Sequence, residues 1–405
     1  MTVSNGRDFL AIPGPTTVPD AVLNAMHRPA QDIYAGEMID LTLSTLADLK
    51  TVFQTTGDTY IYAANGHGAW EAALTNTLSR GDTVLVLDSG RFARGWGEMA
   101  APLGLTVEVL EGSLRAPVDP ARVAERLRSP DAAEIKAVLV VQIDTASGVV
   151  NDIPAIRAAM DEAESDALLC VDTIASLGCM EYRMDAWGVD VTVAGSQKGL
   201  MTPPGLSFCA AGPKAKAARA QADLVTRYWD WGFRDGGEHY QKYCGTMPEH
   251  LMFGLRQGLD MVRAEGLENV WQRHTILADA TRAAVSRWSE GGALSFNIHD
   301  VKARANSITM VRVDDATDPA QLLDYAREKC GVVLGVAIGE LAGQGFRIAH
   351  MGHVNAPMML GTLGVIETAL RACDIPHGTG ALDAAVEVIA NAVPAEKNET
   401  RIAAE

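Results

Sequence analysis

Lys198 is a lysine that follows an apolar run, at a place where the chain is expected to enter the protein interior. The run DVTVA (190–194) has the pattern of a β-strand, and Gly195 and Ser196 form the turn that stops it. Burial disfavours the charged form of an amine, so a lysine in such a place has a lowered pKa and is nucleophilic. Attack on a carbonyl group requires these properties. The alternative is a structural lysine whose stem lies along the sheet edge while its amine reaches water.

A second candidate, NGHG (65–68), lies between a predicted strand and a predicted helix. Such a turn aims free backbone N–H groups and the positive end of the helix dipole at one point, which is suited to an anion. We therefore expect Asn65, Gly66 and His67 to hold a phosphate group. A plain turn in which Asn65 caps the helix is the alternative. The segment is neither a GxGxxG motif nor a Walker motif, which disfavours a dinucleotide or ATP as the ligand.

Asp172 is the third candidate, because it closes the apolar strand ALLCVD (167–172). A carboxylate there costs free energy unless it meets a cation or a hydrogen-bond donor, and a protonated ring nitrogen would suit it. Taken alone, an aspartate that caps the next loop also explains the residue. A phosphate site, a carboxylate for a pyridinium and a desolvated lysine together describe a site for pyridoxal 5′-phosphate.

The elements that must position these residues form an α/β pattern between about residues 59 and 211. Seven segments are strand candidates, most of them apolar on both faces, as in a covered, mostly parallel sheet: TYIYAA, DTVLVLD, LTVEVLE, IKAVLVVQ, ALLCVD, DVTVA and LSFCAA. Helical segments such as GAWEAALTNTLSRG and IPAIRAAMDEAESD lie between them. This pattern predicts a seven-stranded α/β sheet with helices on both faces. Ligands of such sheets bind outside the carboxyl ends of the strands, so the three candidates share one edge.

The rest of the chain predicts a smaller α+β unit. A long helix is expected over 249–266 and a second from about 267 to 290, followed by shorter strand and helix segments. We therefore expect three parts, namely an N-terminal arm (1–20), a large cofactor-binding domain (21–265) and a small C-terminal domain (266–405). The last stretch, from about 376, is predicted to be one helix with a loose tail.

Composition argues against several kinds of partner. The chain of 405 residues has a formal net charge of −17 and no cluster of Lys and Arg, which disfavours nucleic acid. Its first residues lack a secretory pattern, and no apolar run approaches the roughly 20 residues of a membrane span. The six cysteines are scattered, as expected for a cytoplasmic protein. His350 and His353 lack an accompanying set of carboxylates or cysteines, so we expect no metal.

Longer stretches around these residues resemble a known family. They are PGPTTVP (13–19), NGHGAWEAALTNTLSRGD, VDTIASLG, GSQKGLMTPPGL, GLENVWQRH (266–274) and GFRIAHMG (345–352). Through them the chain resembles the class V (fold-type I) pyridoxal-phosphate aminotransferases, and among these the alanine/serine–glyoxylate aminotransferase family. The resemblance implies transfer of an amino group from a small amino acid, of serine or alanine type, to a 2-oxo acid such as glyoxylate or pyruvate.

The resemblance also implies roles for individual residues. Lys198 would bind the cofactor as a Schiff base, and Asp172 would hold the proton of the pyridinium. Phe92, in DSGRF, would stack on the cofactor ring, with a core phenylalanine as the alternative. Thr145, in QIDT, would lie beside the ring and the incoming substrate. Further cofactor contacts are implied for Asn65, Gly66, His67, Ile174 and Gln197.

Four further residues are implied to complete the site. Tyr243 and Thr246, in YCGTMP, would reach the phosphate of the neighbouring subunit, which implies a homodimer with shared active sites. Arg347 would clamp the α-carboxylate of the substrate as a bidentate fork, unless it forms a structural salt bridge. Gly14 would also contact the substrate.

Two departures leave the amino donor open. Serine–glyoxylate relatives carry an HR pair where this chain has DIYAGEM (32–38), and HNET where it has QIDT (142–145). A lyase or desulfurase of the same fold is one alternative function, although no cysteine occurs in an activating context. A non-catalytic protein that binds the cofactor is the other.

Overall fold

The computed structural model describes residues 2–394, so the predicted loose tail lies, from residue 395 onwards, outside the described residues. The strands are β1 (Phe9–Ala11), β2 (Asp58–Tyr62), β3 (Thr83–Leu87), β4 (Thr106–Leu110), β5 (Ile135–Val141), β6 (Ile143–Asp144), β7 (Val149–Val150), β8 (Leu168–Asp172), β9 (Val191–Gly195), β10 (Ser207–Ala211), β11 (Leu294–Phe296), β12 (Ile308–Val313), β13 (Val332–Val336) and β14 (Gly345–Ala349). The helices are α1 (Asp20–Met26), α2 (Glu37–Phe53), α3 (Gly66–Thr77), α4 (Arg91–Ala100), α5 (Pro120–Leu127), α6 (Ile153–Glu162), α7 (Pro213–Arg219), α8 (Trp231–Arg234), α9 (Glu249–Glu265), α10 (Leu267–Ser289), α11 (Pro319–Cys330), α12 (Ala356–Ala372) and α13 (Ala381–Ala392).

The large sheet has seven strands in the order β2-β10-β9-β8-β5-β3-β4. All seven predicted strands are present, and the predicted mostly parallel sheet is confirmed. Strand β10 is antiparallel to both of its neighbours, and the other pairs are parallel. The carboxyl ends of β2, β3, β5, β8 and β9 therefore meet at one edge of the sheet.

Both faces of this sheet are covered, which explains why its strands are apolar on both sides. Along β3, Leu85 and Leu87 belong to one core with side chains of α2, α5, α6 and α9. Val84 and Val86 belong to the opposite core with side chains of α3, α4 and α7. This alternation follows from the two-residue period of a strand.

A second sheet has the order β1-β13-β14-β12-β11. Its core packs against α10, α11, α12 and α13. Strand β1 pairs in parallel with β13, so residues 9–11 are part of this sheet although they lie in the predicted N-terminal arm. Gly266 separates α9 from α10 at the predicted boundary near residue 265. The division of the chain into domains stays a prediction.

Within residues 2–394, no helix combines the length and apolarity needed to cross a membrane. The same part of the chain contains no group of three or more His, Cys, Asp or Glu side chains arranged to hold a metal ion.

Candidate active site

A cavity of about 250 Å³ lies at the carboxyl edge of the large sheet. Loops after β1, β2, β3, β8 and β9, together with β6 and the residue after it, contribute to its wall. Most of the predicted site residues line it, namely Gly14, Asn65, Gly66, His67, Phe92, Thr145, Asp172, Ile174, Gln197 and Lys198. The shared carboxyl edge of the strands, where ligands of such sheets bind, therefore brings together residues up to 184 positions apart.

The amine of Lys198 lies against the segment that follows β1. It donates a hydrogen bond to the carbonyl oxygen of Pro13. A Cβ atom on Gly14 would lie 2.6 Å from Nζ, so only glycine permits this approach. Burial and the charge of Arg347 lower the pKa of Lys198 to about 8, and Asp172 opposes the shift. Roughly a tenth of the amine is thus neutral at pH 7, far more than for an ordinary lysine, and the neutral form is the nucleophile.

Asp172 is buried at the end of β8, and both of its carboxylate oxygens accept hydrogen bonds. Oδ1 accepts from the backbone N–H of Ile174 at 2.6 Å, and Oδ2 accepts from the indole N–H of Trp70 at 2.6 Å. Burial raises the pKa of Asp172 to about 7, while these two hydrogen bonds act to lower it. The carboxylate is therefore held in a fixed orientation. With a pKa of about 7, its protonation state would respond to a cationic ligand.

Trp70 is a site residue that sequence reasoning missed. It lies four residues after Gly66 on α3, and both residues line the cavity. The helical period could have placed Trp70 on the same face as Gly66. Its contact with Asp172 joins residues 102 positions apart, which no local pattern reports.

The amino end of α3 is capped by the side chain of Asn65. Its Oδ1 accepts from the N–H groups of His67 at 3.1 Å and Gly68 at 3.4 Å, so the capping alternative for Asn65 is observed. The predicted phosphate site therefore depends on the remaining groups of Gly66, His67 and Gln197. A Cβ on Gly66 would lie 2.3 Å from Cδ1 of Ile174, so glycine lets these loops meet.

Phe92 and Thr145 are joined through Asp144, which sequence reasoning also missed. Asp144 is fully buried, and its carboxylate accepts from the N–H groups of Phe92 at 2.8 Å, Ala93 at 3.3 Å and Ala146 at 2.9 Å. Burial raises the pKa of Asp144 to about 6, and the backbone hydrogen bonds oppose the shift. Asp144 thereby fixes the start of α4, where Phe92 lies, against the end of β6, which Thr145 follows.

Arg347 lies on β14 beside this wall rather than among the residues that line the cavity. Its Nη1 donates to the carbonyl oxygen of Thr145 and its Nε donates to that of Val336. Burial lowers the pKa of Arg347 to about 10, and Asp144 opposes the shift. Within residues 2–394 it forms no salt bridge.

Tyr243 and Thr246 do not line the cavity of their own subunit. The hydroxyl of Tyr243 is buried and shares a hydrogen bond of 2.7 Å with the hydroxyl of Thr42. Thr246 is exposed. His350 is buried and bonded to Asn306 and Thr309, as a structural histidine would be.

Comparison with known proteins decides the family. Residues 9–343 match the family described as aminotransferase class-V. The chain belongs to the class-V aminotransferases. Serine–glyoxylate aminotransferase of Methylorubrum extorquens is 38% identical to it over 371 residues, 90% of this chain and 91% of that protein. L-aspartate–glyoxylate aminotransferase of Paracoccus denitrificans is 36% identical over 379 residues, 93% of this chain and 94% of that protein.

A solved structure extends the likeness to the fold of the whole chain. Pyridoxamine–pyruvate aminotransferase of Mesorhizobium loti superposes on this class-V aminotransferase with a TM-score of 0.89 at 27% identity, covering 97% of this chain and 100% of that one. The predicted fold-type I architecture is confirmed, and pyridoxal 5′-phosphate is the cofactor that the family implies.

The cavity of this class-V aminotransferase fits that cofactor. It combines a desolvated lysine amine, a buried carboxylate and the amino end of a helix in one space. Gln197 lines this space as well, and its side-chain amide can donate from Nε2 to a phosphate oxygen. The glycines at positions 14 and 66 let Lys198 and Ile174 approach the cavity wall closely.

Proposed function

We propose that the chain transfers an amino group from a small amino acid, of serine or alanine type, to a 2-oxo acid such as glyoxylate or pyruvate. The observation that carries the proposal is the pairing of Lys198 and Asp172 in one cavity of a class-V aminotransferase. The names of the relatives, which transfer amino groups to glyoxylate, support the class of acceptor.

Lys198 and Asp172 are the proposed catalytic residues. Bound pyridoxal 5′-phosphate supplies an aldehyde that takes up amino groups and a ring that stores an electron pair. Lys198 would hold the cofactor through its amine, and with a substrate bound its Nζ would take the proton from the substrate Cα. Asp172 would hold the proton of the ring nitrogen, so that the ring would stay positively charged.

Other residues would orient the cofactor and the substrate. Phe92 and Ile174 would contact the ring, and the start of α3 with Gln197 would hold the phosphate. Arg347 would bind the substrate carboxylate, and its fork would set the Cα–H bond perpendicular to the ring. Thr145 lies beside Arg347 and would contact the substrate as well, as would Gly14 near Lys198.

We further propose a cytoplasmic homodimer in which Thr246 reaches the phosphate in the neighbouring subunit, and in which Tyr243 does so once its hydroxyl leaves Thr42 of its own subunit. Exposure of Thr246, and its absence from the cavity of its own subunit, support a role at another subunit. The six cysteines are all free, which supports a reducing compartment.

The two alternative functions have less support. None of the residues that line the cavity is a cysteine, as a desulfurase nucleophile would be, and burial raises the pKa of both Cys330 and Cys373. A non-catalytic role would not explain the lowered pKa of Lys198 or the fixed orientation of the Asp172 carboxylate.

Borohydride reduction of the purified protein, followed by peptide mapping, tests the proposal. We expect a pyridoxyl adduct on Lys198, and a change in cofactor absorbance when serine, alanine or aspartate is added. A panel of these donors with glyoxylate and pyruvate then identifies the substrates. An adduct elsewhere, release of sulfide from cysteine, or a spectrum unchanged by every donor would overturn the proposal.

A further inference from the structure

Trp70 is buried against the floor of the cavity and does more than fill the core. Its ring lies between His67, with centroids 4.6 Å apart, and Trp96, which stacks on it at 5.9 Å. The indole N–H points away from this stack and donates to Oδ2 of Asp172 at 2.6 Å. Within residues 2–394, Trp70 is the only side chain that donates a hydrogen bond to this carboxylate.

This bond acts on one protonation state of Asp172. An indole N–H donates and cannot accept, so it stabilises the carboxylate more strongly than the carboxylic acid. Burial and the charge of Asp144 favour the acid, whereas the N–H of Ile174 and the charge of Lys198 favour the carboxylate. Trp70 and Ile174 occupy different oxygens, so together they also define the plane of the group.

We propose that Trp70 is a positioning residue that orients Asp172 and keeps it ionised opposite a cationic aromatic ligand. The inference rests on the proposed function, because it takes the protonated ring of pyridoxal 5′-phosphate as that ligand. Without the indole N–H, only the N–H of Ile174 holds the carboxyl group of Asp172, which then takes up a proton more readily. A neutral acid at this position holds a ring cation less well.

Trp96 provides a matched control. It stacks on Trp70 with an interplanar angle of 15°, is fully buried, and belongs to the same core. Its Nε1 has no hydrogen-bond partner among the described residues. Replacement of either tryptophan by phenylalanine removes the same atoms from the same cluster, but only Trp70→Phe breaks a hydrogen bond to Asp172.

The first experiment measures the dissociation constant of pyridoxal 5′-phosphate. We expect Trp70→Phe to weaken binding about tenfold, the usual effect of losing a hydrogen bond to a charged group, and Trp96→Phe to change it less than about twofold. In an Asp172→Ala background, Trp70→Phe should have no further effect. Equal effects of the two phenylalanine variants, or a full effect of Trp70→Phe without Asp172, would overturn the inference. A wild-type protein that does not bind the cofactor overturns the proposed function instead.

A second experiment uses the cofactor-free protein and leaves Trp70 itself unaltered. In protein labelled with ¹⁵N-tryptophan, the chemical shift of the Trp70 indole should change as the pH is raised from about 5 to about 9, because Asp172 ionises over this range. The resonance of Trp96 should shift little. The titratable groups that act on Asp172 or face Trp70 are Asp144, Lys198 and His67, and Asp172→Ala separates their titration from that of Asp172. A Trp70 resonance that changes neither with pH nor on Asp172→Ala would show that the hydrogen bond does not influence the ionisation of Asp172.

Discussion

Arg347 donates from Nη1 to the carbonyl oxygen of Thr145, 2.9 Å away. Its Nε donates to the carbonyl of Val336 at 2.7 Å. These two bonds fix the plane of the guanidinium, while Nη2 has no hydrogen-bond partner within residues 2–394. The side chain is thus held by the backbone and retains a free donor for a substrate carboxylate.

Arg347→Lys should raise the KM for the amino acid and the 2-oxo acid alike, by about tenfold or more, because one ammonium cannot copy the fork. Steady-state kinetics with both substrates measure the effect. Arg312→Lys, on the neighbouring strand β12, serves as the control and should leave both KM values unchanged. Unaltered constants for Arg347→Lys would remove it from substrate binding.

Gly14→Ala should slow the attachment of the cofactor to Lys198. The new Cβ would lie 2.6 Å from Nζ and displace the amine, and the residue has a φ of +98° that disfavours alanine. Gly81→Ala is a matched control, because Gly81 has a φ of +87° but nothing within 4 Å of its Cβ position. Both variants should lose about 1 kcal/mol of stability through backbone strain. The rate of cofactor attachment, measured by absorbance, should fall only in Gly14→Ala. Equal attachment rates in the two variants would contradict the contact between Gly14 and Lys198.

Asp172 should make the stability of the cofactor-free protein fall as pH rises. Its pKa is raised to about 7 in the folded protein, whereas an unfolded aspartate titrates near 4. Between these values the folded state retains a proton that the unfolded chain has lost, so the free energy of unfolding decreases. Urea denaturation at several pH values should show this decline for the wild type relative to Asp172→Asn, which lacks the titrating group. Parallel curves for the two proteins would contradict the shift.

A mixture of two defective subunits tests the shared active site. If Thr246 serves the neighbouring site, a hybrid of Lys198→Ala and Thr246→Ala subunits contains one intact site and one doubly altered site. The purified hybrid should therefore have about half of the wild-type activity and one cofactor site of normal affinity. The hybrid of wild type with Lys198→Ala is the control. If Thr246 acts within its own subunit, the hybrid instead binds the cofactor as weakly as Thr246→Ala alone.

The large sheet could be predicted from sequence because its strands are buried on both faces. Val84 and Leu85 face opposite cores, so no polar residue interrupts the segment, and the strand stands out from the helices around it. The candidate residues at strand ends followed from the sheet, since parallel strands share one carboxyl edge.

The contacts that tune the site could not be predicted in this way. The bond between Lys198 and Pro13 joins residues 185 positions apart, and the bond between Trp70 and Asp172 joins residues in different elements. In the sequence, Asp144 is indistinguishable from an ordinary loop aspartate. Only the structure shows that the start of α4 lies against it. Such contacts depend on the distances between elements, which neither periodicity nor local spacing contains.

The pairing of strand β1 determines when, during synthesis of the chain, the site around Lys198 can form. Residues 9–11 pair with residues 332–334, and the chain then runs directly to the carbonyl that receives the Lys198 amine. A nascent polypeptide that ends before residue 332 already contains the lysine, the aspartate and α3, but lacks the partner of β1. The ribosome must therefore deliver most of the chain before β1 can pair and Pro13 can take its place beside the lysine.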